Sequence, residues 1–366
     1  MARFMPSSVQ DGVVLALESA PIHYFFPRRE NKMKARALHL AVALATVGFT
    51  SLAAANAILV SPNGTVRIGI NDSGSLDTTA GGQTAGIGYN FTGQGGRTGF
   101  QDALTPGCPC EAWGVAANGI GGQVGESTGN QGITVNAPGS TATTFTSNTA
   151  LTALSGLSVT QTYSIGAQTA TGALFQNTIT LHNGTGATIT DLRFARAMDW
   201  DVPPTEFSEF VTIQGTGSTP SLLHSTDNGF ANANPMTATG DTGIIGPVNA
   251  DGTTGPSDHG ALFVFGFGAL ADGEDFTFNI FYGAGRDASD ALALLGLIGP
   301  ELYSLGMSSS GGTAARNLPT FVFAFNGVGG DVIVPPDGGG AVPAPASLAL
   351  IGLGAIALAA RRKRER

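Results

Sequence analysis

Between Thr65 and Val328 the chain is cut by glycine, asparagine and aspartate into short runs in which apolar and polar side chains alternate, among them "TVRIGI", "LSVTQTYSI", "LFQNTITLHN", "FTFNIFYGAG" and "TFVFAFNGV". Side chains of an extended chain point to opposite faces in turn, so Phe276, Phe278, Ile280 and Tyr282 share one face of a strand. Leu157, Val159, Tyr163 and Ile165 do the same, with Gln161 as the one polar residue among them. This repetition constrains the fold to the all-β class. The expected architecture is a β-sandwich of about ten or more short strands. The 54 glycines supply its turns and the 42% apolar content supplies its core.

"RDASDALALLGLIGPELYSLG", Arg286 to Gly306, breaks the alternation. Asp287 or Ser289 offers an N-cap, alanine and leucine follow, and Pro300 interrupts. The pattern predicts one short crossover helix from about Ser289 to Leu297, with Pro300 to Tyr303 opening a further helical turn.

Charge divides the chain into a body and two ends. From Ile58 to Pro345 there are six arginines, no lysine and 22 acids, a net charge of -16. Nucleic-acid binding needs clustered bases to neutralise phosphate, so this body is excluded from that class. Cations are its natural partners.

The ends read as addresses. "MKARALHLAVALATVGFTSLAAANA", Met33 to Ala57, has a basic start, an apolar stretch and a small-residue cleavage site at Ala55-Asn56-Ala57, the three parts of a signal peptide. Translation is therefore expected to start at Met33, with residues 1–32 a non-native extension. At the other end, "VPPDGGGAVPAP" (334–345) reads as a linker. Ala346 to Ala360 is uncharged and apolar, and as a helix would reach roughly 22 Å, or roughly 28 Å counted from Val342, against a hydrocarbon core of about 30 Å. It is expected to form a single C-terminal transmembrane helix. Arg361, Arg362, Lys363, Arg364 and Arg366 would stay on the cytoplasmic side and leave the body outside. The expected domains are signal peptide 33–57, exported β-sandwich 58–333, linker 334–345 and sorting and anchor tail 346–366.

Pro343-Ala344-Pro345, the small-residue apolar stretch and the basic terminus together resemble the PEP-CTERM sorting signal of exopolysaccharide-producing Gram-negative bacteria. Ala344 stands where that family usually has glutamate. The resemblance implies recognition by exosortase, a membrane transpeptidase, at an inner-membrane-anchored precursor, followed by release to the cell surface or extracellular matrix.

Within the body, Cys108-Pro109-Cys110 leaves three readings open: a loop disulfide after export, free or intermolecular thiols, or a redox pair. His182, His224 and His259 are too dispersed to suggest zinc. Calcium accepts carboxylates in flexible geometry, and two segments offer them. Asp199 and Asp201 lie two apart, with Glu206 or Glu209 able to fold back across Pro203-Pro204; Asp251 sits in a Gly-rich loop with Asn249 and Asp258. Zincin and phosphate-loop patterns are missing from the sequence, and a lysine-free body has no Schiff-base lysine. The expected function is a non-enzymatic structural or adhesive module of an exopolysaccharide biofilm matrix. The alternatives are a calcium-dependent carbohydrate-binding protein and a secreted polysaccharide hydrolase.

Overall fold

The structure is a computed structural model that describes residues 56–80, 83–108, 110–125, 129–238 and 248–335. The expected extension, the signal segment through Ala55, Pro343-Ala344-Pro345, the anchor stretch and its basic cluster lie outside the described residues. Ala57, the other small residue of the expected cleavage site, opens the first strand opposite Ile70; cleavage after it leaves Ile58, Leu59 and Val60 paired with Gly69, Ile68 and Arg67. Among the described residues no helix is long and apolar enough to cross a membrane.

Three antiparallel sheets carry the fold. A small one runs β1 (Ala57–Val60), β2 (Val66–Ile70), β5 (Ile87–Thr92) and β6 (Thr98–Asp102). A six-stranded sheet runs β17 (Leu222–Thr226), β19 (His259–Leu270), β15 (Ile189–Trp200), β7 (Glu111–Ala117), β8 (Ile120–Gly125) and β9 (Gly129–Gln131). The ten-stranded sheet runs β10 (Ile133–Val135), β12 (Phe145–Leu151), β13 (Leu157–Gln168), β14 (Ala173–Asn183), β20 (Asp275–Gly285), β24 (Thr320–Asn326), β21 (Leu302–Met307), β16 (Glu209–Gln214) and β18 (Gly252–Ser257), with β11 (Gly139–Ser140) on β12. Two hairpins, β3 (Thr78–Ala80) with β4 (Gln83–Ala85) and β22 (Ser309–Ser310) with β23 (Thr313–Ala314), complete the strands. Several strands reach 11 or 12 residues, longer than the short runs that the turn residues suggested.

The six-stranded and ten-stranded sheets pack through phenylalanine. Phe263 and Phe265 of β19 meet Phe323 and Phe325 of β24 with ring centroids 4.9–5.6 Å apart, and Phe194 of β15 meets Phe278 of β20 at 5.1 Å. "TFVFAFN" has almost no polar residue because both its faces are covered: Phe321, Phe323 and Phe325 enter the sandwich, while Val322 and Ala324 lie under the helix. Val66, Ile68 and Ile87 of the small sheet join the same core as these phenylalanines.

The single helix of the described residues, α1 (Ala288–Ile298), connects β20 to β21 across the intervening β24, so it is a crossover. Asp287 caps it by accepting from the Asp290 N–H at 2.9 Å, and Gly299 ends it in the left-handed conformation. The helical turn expected at Pro300 to Tyr303 does not form. Gly299 and Pro300 stop the helix, and Leu302 to Met307 extends into β21 between β24 and β16.

Glu301 holds the end of the domain. Its carboxylate accepts from the N–H groups of Gly327, Val328 and Gly330, each at 2.9 Å, and the side chain is buried. Glu301→Ala orphans three donors next to the segment that leads into the linker. The expected result is a loss of about 2 kcal/mol in urea denaturation, with faster amide exchange at residues 327–330. Unchanged exchange there would remove this role.

Candidate functional site

Two of the polar groups buried in the sandwich differ in one respect. The first is satisfied. Arg196 of β15 is fully buried, its Nε on Glu111, one terminal nitrogen on Gln161 Oε1 at 2.9 Å, the other on Gly74 O at 3.1 Å and Tyr163 Oη at 3.2 Å. Its guanidinium carbon lies 5.4 Å from the Tyr282 ring centroid. Glu111 in turn accepts from the Leu76 N–H, and Trp113 donates to Ser73 O. Burial acts to lower the Arg196 pKa, but the Glu111 carboxylate and the two tyrosines raise it on balance and hold the side chain charged. The group therefore clamps the loop Asn71–Asp77 onto the sandwich. Gly74 is required in it: φ is +83°, and a Cβ would lie 2.7 Å from Gln161 Nε2.

The second group is not satisfied. Asp199, Asp201 and Asp258 each place a carboxylate oxygen so that all three lie within 4.8 Å of one another. Strand register brings them together. Trp200 pairs with His259 in the β15 to β19 ladder, so one further step along it sets Asp201 across from Asp258. Asp199 and Asp201 are each 1% exposed and Glu209 is 0% exposed. Asp199 Oδ1, both oxygens of Asp201, Asp258 Oδ1 and Glu209 Oε2 have no hydrogen-bond partner.

Burial first, then the charges of Asp258 and Glu209, push Asp199 up to about 8. Burial, then Asp199, Glu209, Asp258 and Glu206, push Asp201 up to about 9. Burial also raises Glu209, against hydrogen bonding from His259.

Of the carboxylates expected beside Asp199 and Asp201, Glu209 arrives and Glu206 does not: it pairs with Arg97 at 3.0 Å. Asp251 stands apart from this group. It accepts from the N–H and hydroxyl of Thr216 at 2.9 and 2.8 Å, so it caps the turn after β16, and Asp258 leaves its loop to join the other acids. Asn249 accepts from the Ser225 N–H. Arg193 pairs with Asp191 of its own strand rather than across the ladder. Cys108 and Cys110 form a disulfide beside Asp199, whose backbone N–H donates to Cys110 O at 2.9 Å. Its sulfurs are thus no thiolate ligands. His259 spends Nδ1 on Ser257 O and Nε2 on the Thr254 hydroxyl, at 2.9 and 3.2 Å. An all-oxygen donor set remains, suited to a hard cation.

Two exposed aromatic residues flank these acids. A Cβ on Gly107 would touch the Phe207 ring at 2.7 Å and lie 3.9 Å from Asp201 Oδ2, and Phe230 follows Gly229, whose Cβ would lie 2.9 Å from Asp199 Oδ1. Phe207 is 49% and Phe230 48% exposed.

Neither the curated proteins nor the solved structures contain a match to this chain. A protein-family model does match at its end, over residues 341–364. That segment is a PEP-CTERM protein-sorting motif, so the chain carries the signal of an exported, membrane-anchored precursor that is processed by exosortase, a membrane enzyme.

Proposed function

We propose that the chain is a non-enzymatic surface or extracellular-matrix protein. It is exported, held in the inner membrane by its tail, and moved outward by exosortase, after which the β-sandwich serves as a structural or adhesive module among exopolysaccharide. The sorting motif at residues 341–364 carries this reading. The body supports it by its lack of lysine and its net charge of -16 between Ile58 and Pro345, which keep an exposed module soluble and self-repelling. It is supported too by the closure of the group formed by Asp199, Asp201 and Asp258: at 1% exposure Asp199 and Asp201 are shut off from a sugar chain. A second reading, calcium-dependent carbohydrate binding, draws on Phe207 and Phe230, whose exposed rings border those acids.

Localisation tests the leading reading. In a host with exosortase, a version tagged within the body is expected outside the inner membrane and shortened by the tail. In the same host without the enzyme, the uncut chain should stay in the inner membrane. Deleting residues 341–366 should shift it to the soluble fraction in both hosts. An uncut chain that reaches the surface without exosortase would overturn the proposal.

A further inference from the structure

We propose that Asp199, Asp201 and Asp258 bind one calcium ion, which fastens the two large sheets together where the chain passes from one to the other. Two oxygens on the same calcium, each at 2.3–2.6 Å, stand at most about 5 Å apart. The three carboxylates meet that condition, since their oxygens lie within 4.8 Å of one another. A single ion reaches all of them.

Independent of the clustering is the state of the side chains. Asp201 is 1% exposed and neither of its oxygens has a partner, and Asp199 Oδ1 and Glu209 Oε2 are buried in the same condition. Buried acceptors are almost always paired, so a group of them facing one point calls for a donor or a cation. Among the described residues no arginine is placed to serve. Arg97, Arg193, Arg196 and Arg286 are committed to Glu206, Asp191, Glu111 and Asp287, Arg67 lies on the Phe100 ring, and Arg316 lies beside Ala288 and Leu292 of the helix. The body contains no lysine. The nearby histidine has both ring nitrogens engaged.

Position gives the ion its task. Asp201 lies where the chain leaves β15 of the six-stranded sheet for β16 of the ten-stranded sheet, and Asp258 where it leaves β18 of the larger sheet for β19 of the smaller. Both crossings meet at the same place. Glu209, the first residue of β16, accepts from the N–H of His259, next to Asp258, and so brings a fourth carboxylate to the edge of the group. Bound calcium would tie two passages separated widely in sequence, in the way a disulfide ties a loop.

Calcium alone is the probe, applied to the full chain purified in detergent and stripped with a chelator. One equivalent is expected to bind by calorimetry and to raise Tm by several degrees. Terbium should luminesce through Trp200, adjacent to Asp199 and Asp201 in the chain, and lose that signal to added calcium. Asp201→Asn should weaken calcium binding at least about tenfold and reverse a ranking: it should melt above the wild type in chelator, where a buried carboxyl without a partner is replaced by a neutral amide, and below it in calcium. Asp251→Asn should leave affinity unchanged. Absence of heat, terbium signal and Tm shift in the wild type would overturn the proposal. So would binding of magnesium in preference to calcium, or unaltered affinity in a folded Asp201→Asn. Sorting by the tail is unaffected by any of these results.

Discussion

Arg196→Met is expected to cost about 3–5 kcal/mol of folding stability, because it leaves the fully buried Glu111 carboxyl without its cation. The damage extends past one pair. Gln161 Oε1, Gly74 O and Tyr163 Oη each lose a donor at 2.9–3.2 Å, and the loop Asn71–Asp77, held through Gly74, Ser73 and Leu76, loses its anchor in the core. Methionine fills much of the arginine volume, so the loss reports charge and hydrogen bonding more than a cavity. Urea denaturation measures the effect. The double variant Arg196→Met/Glu111→Leu removes both charges and should recover most of the stability, since apolar residues of similar volume often replace a buried pair at little cost. If the double variant is as unstable as the single one, the uncompensated carboxylate is not the cause.

Part of this network shows in the primary structure. Gln161 is the one polar residue on the inward face Leu157, Val159, Tyr163, and a polar side chain at such a place must find a partner. Its partner lies one sheet away, on β15, which no local pattern specifies. The same division holds for the fold as a whole. Alternation is local, so it identifies β13, β14, β20 and β24 as strands; pairing is not, so it leaves open that β24 inserts between β20 and β21. Leu302–Met307 misled because an apolar run after a helix and a proline reads as a second turn of helix, and only the vacant place between β24 and β16 makes it a strand.

The acids follow the same rule. Asp199 and Asp201 are visible as a pair because they stand two residues apart. Asp258 looks like a neighbour of Asp251, seven residues away, until the β15 to β19 register sets it across from Asp201. Distance along the chain therefore groups Asp258 with Asp251, while strand register groups it with Asp199 and Asp201.

Metal-free protein should lose stability as pH rises, the reverse of a fold held by paired carboxylates. Ordinary carboxyls in the unfolded chain release their protons near pH 4. In the folded chain Asp199 holds its proton to about 8, because burial and then Asp258 and Glu209 disfavour the charge, and Asp201 to about 9, because burial and then Asp199, Glu209, Asp258 and Glu206 do. Between pH 4 and 9 the native state therefore binds more protons than the unfolded state, and the free energy of unfolding falls with pH across that window. The full contribution is present below about pH 4 and is lost as pH passes through the folded values. Arg196, charged at every accessible pH, adds no slope. In chelator, scanning calorimetry should place Tm at pH 8.5 on the order of 10 °C below that at pH 5.5. Asp201→Asn should flatten the profile by removing one titrating group. A Tm that rises from pH 5.5 to 8.5 in chelator would mean that the two acids are ionised in the folded protein, paired with a cation the chelator does not reach.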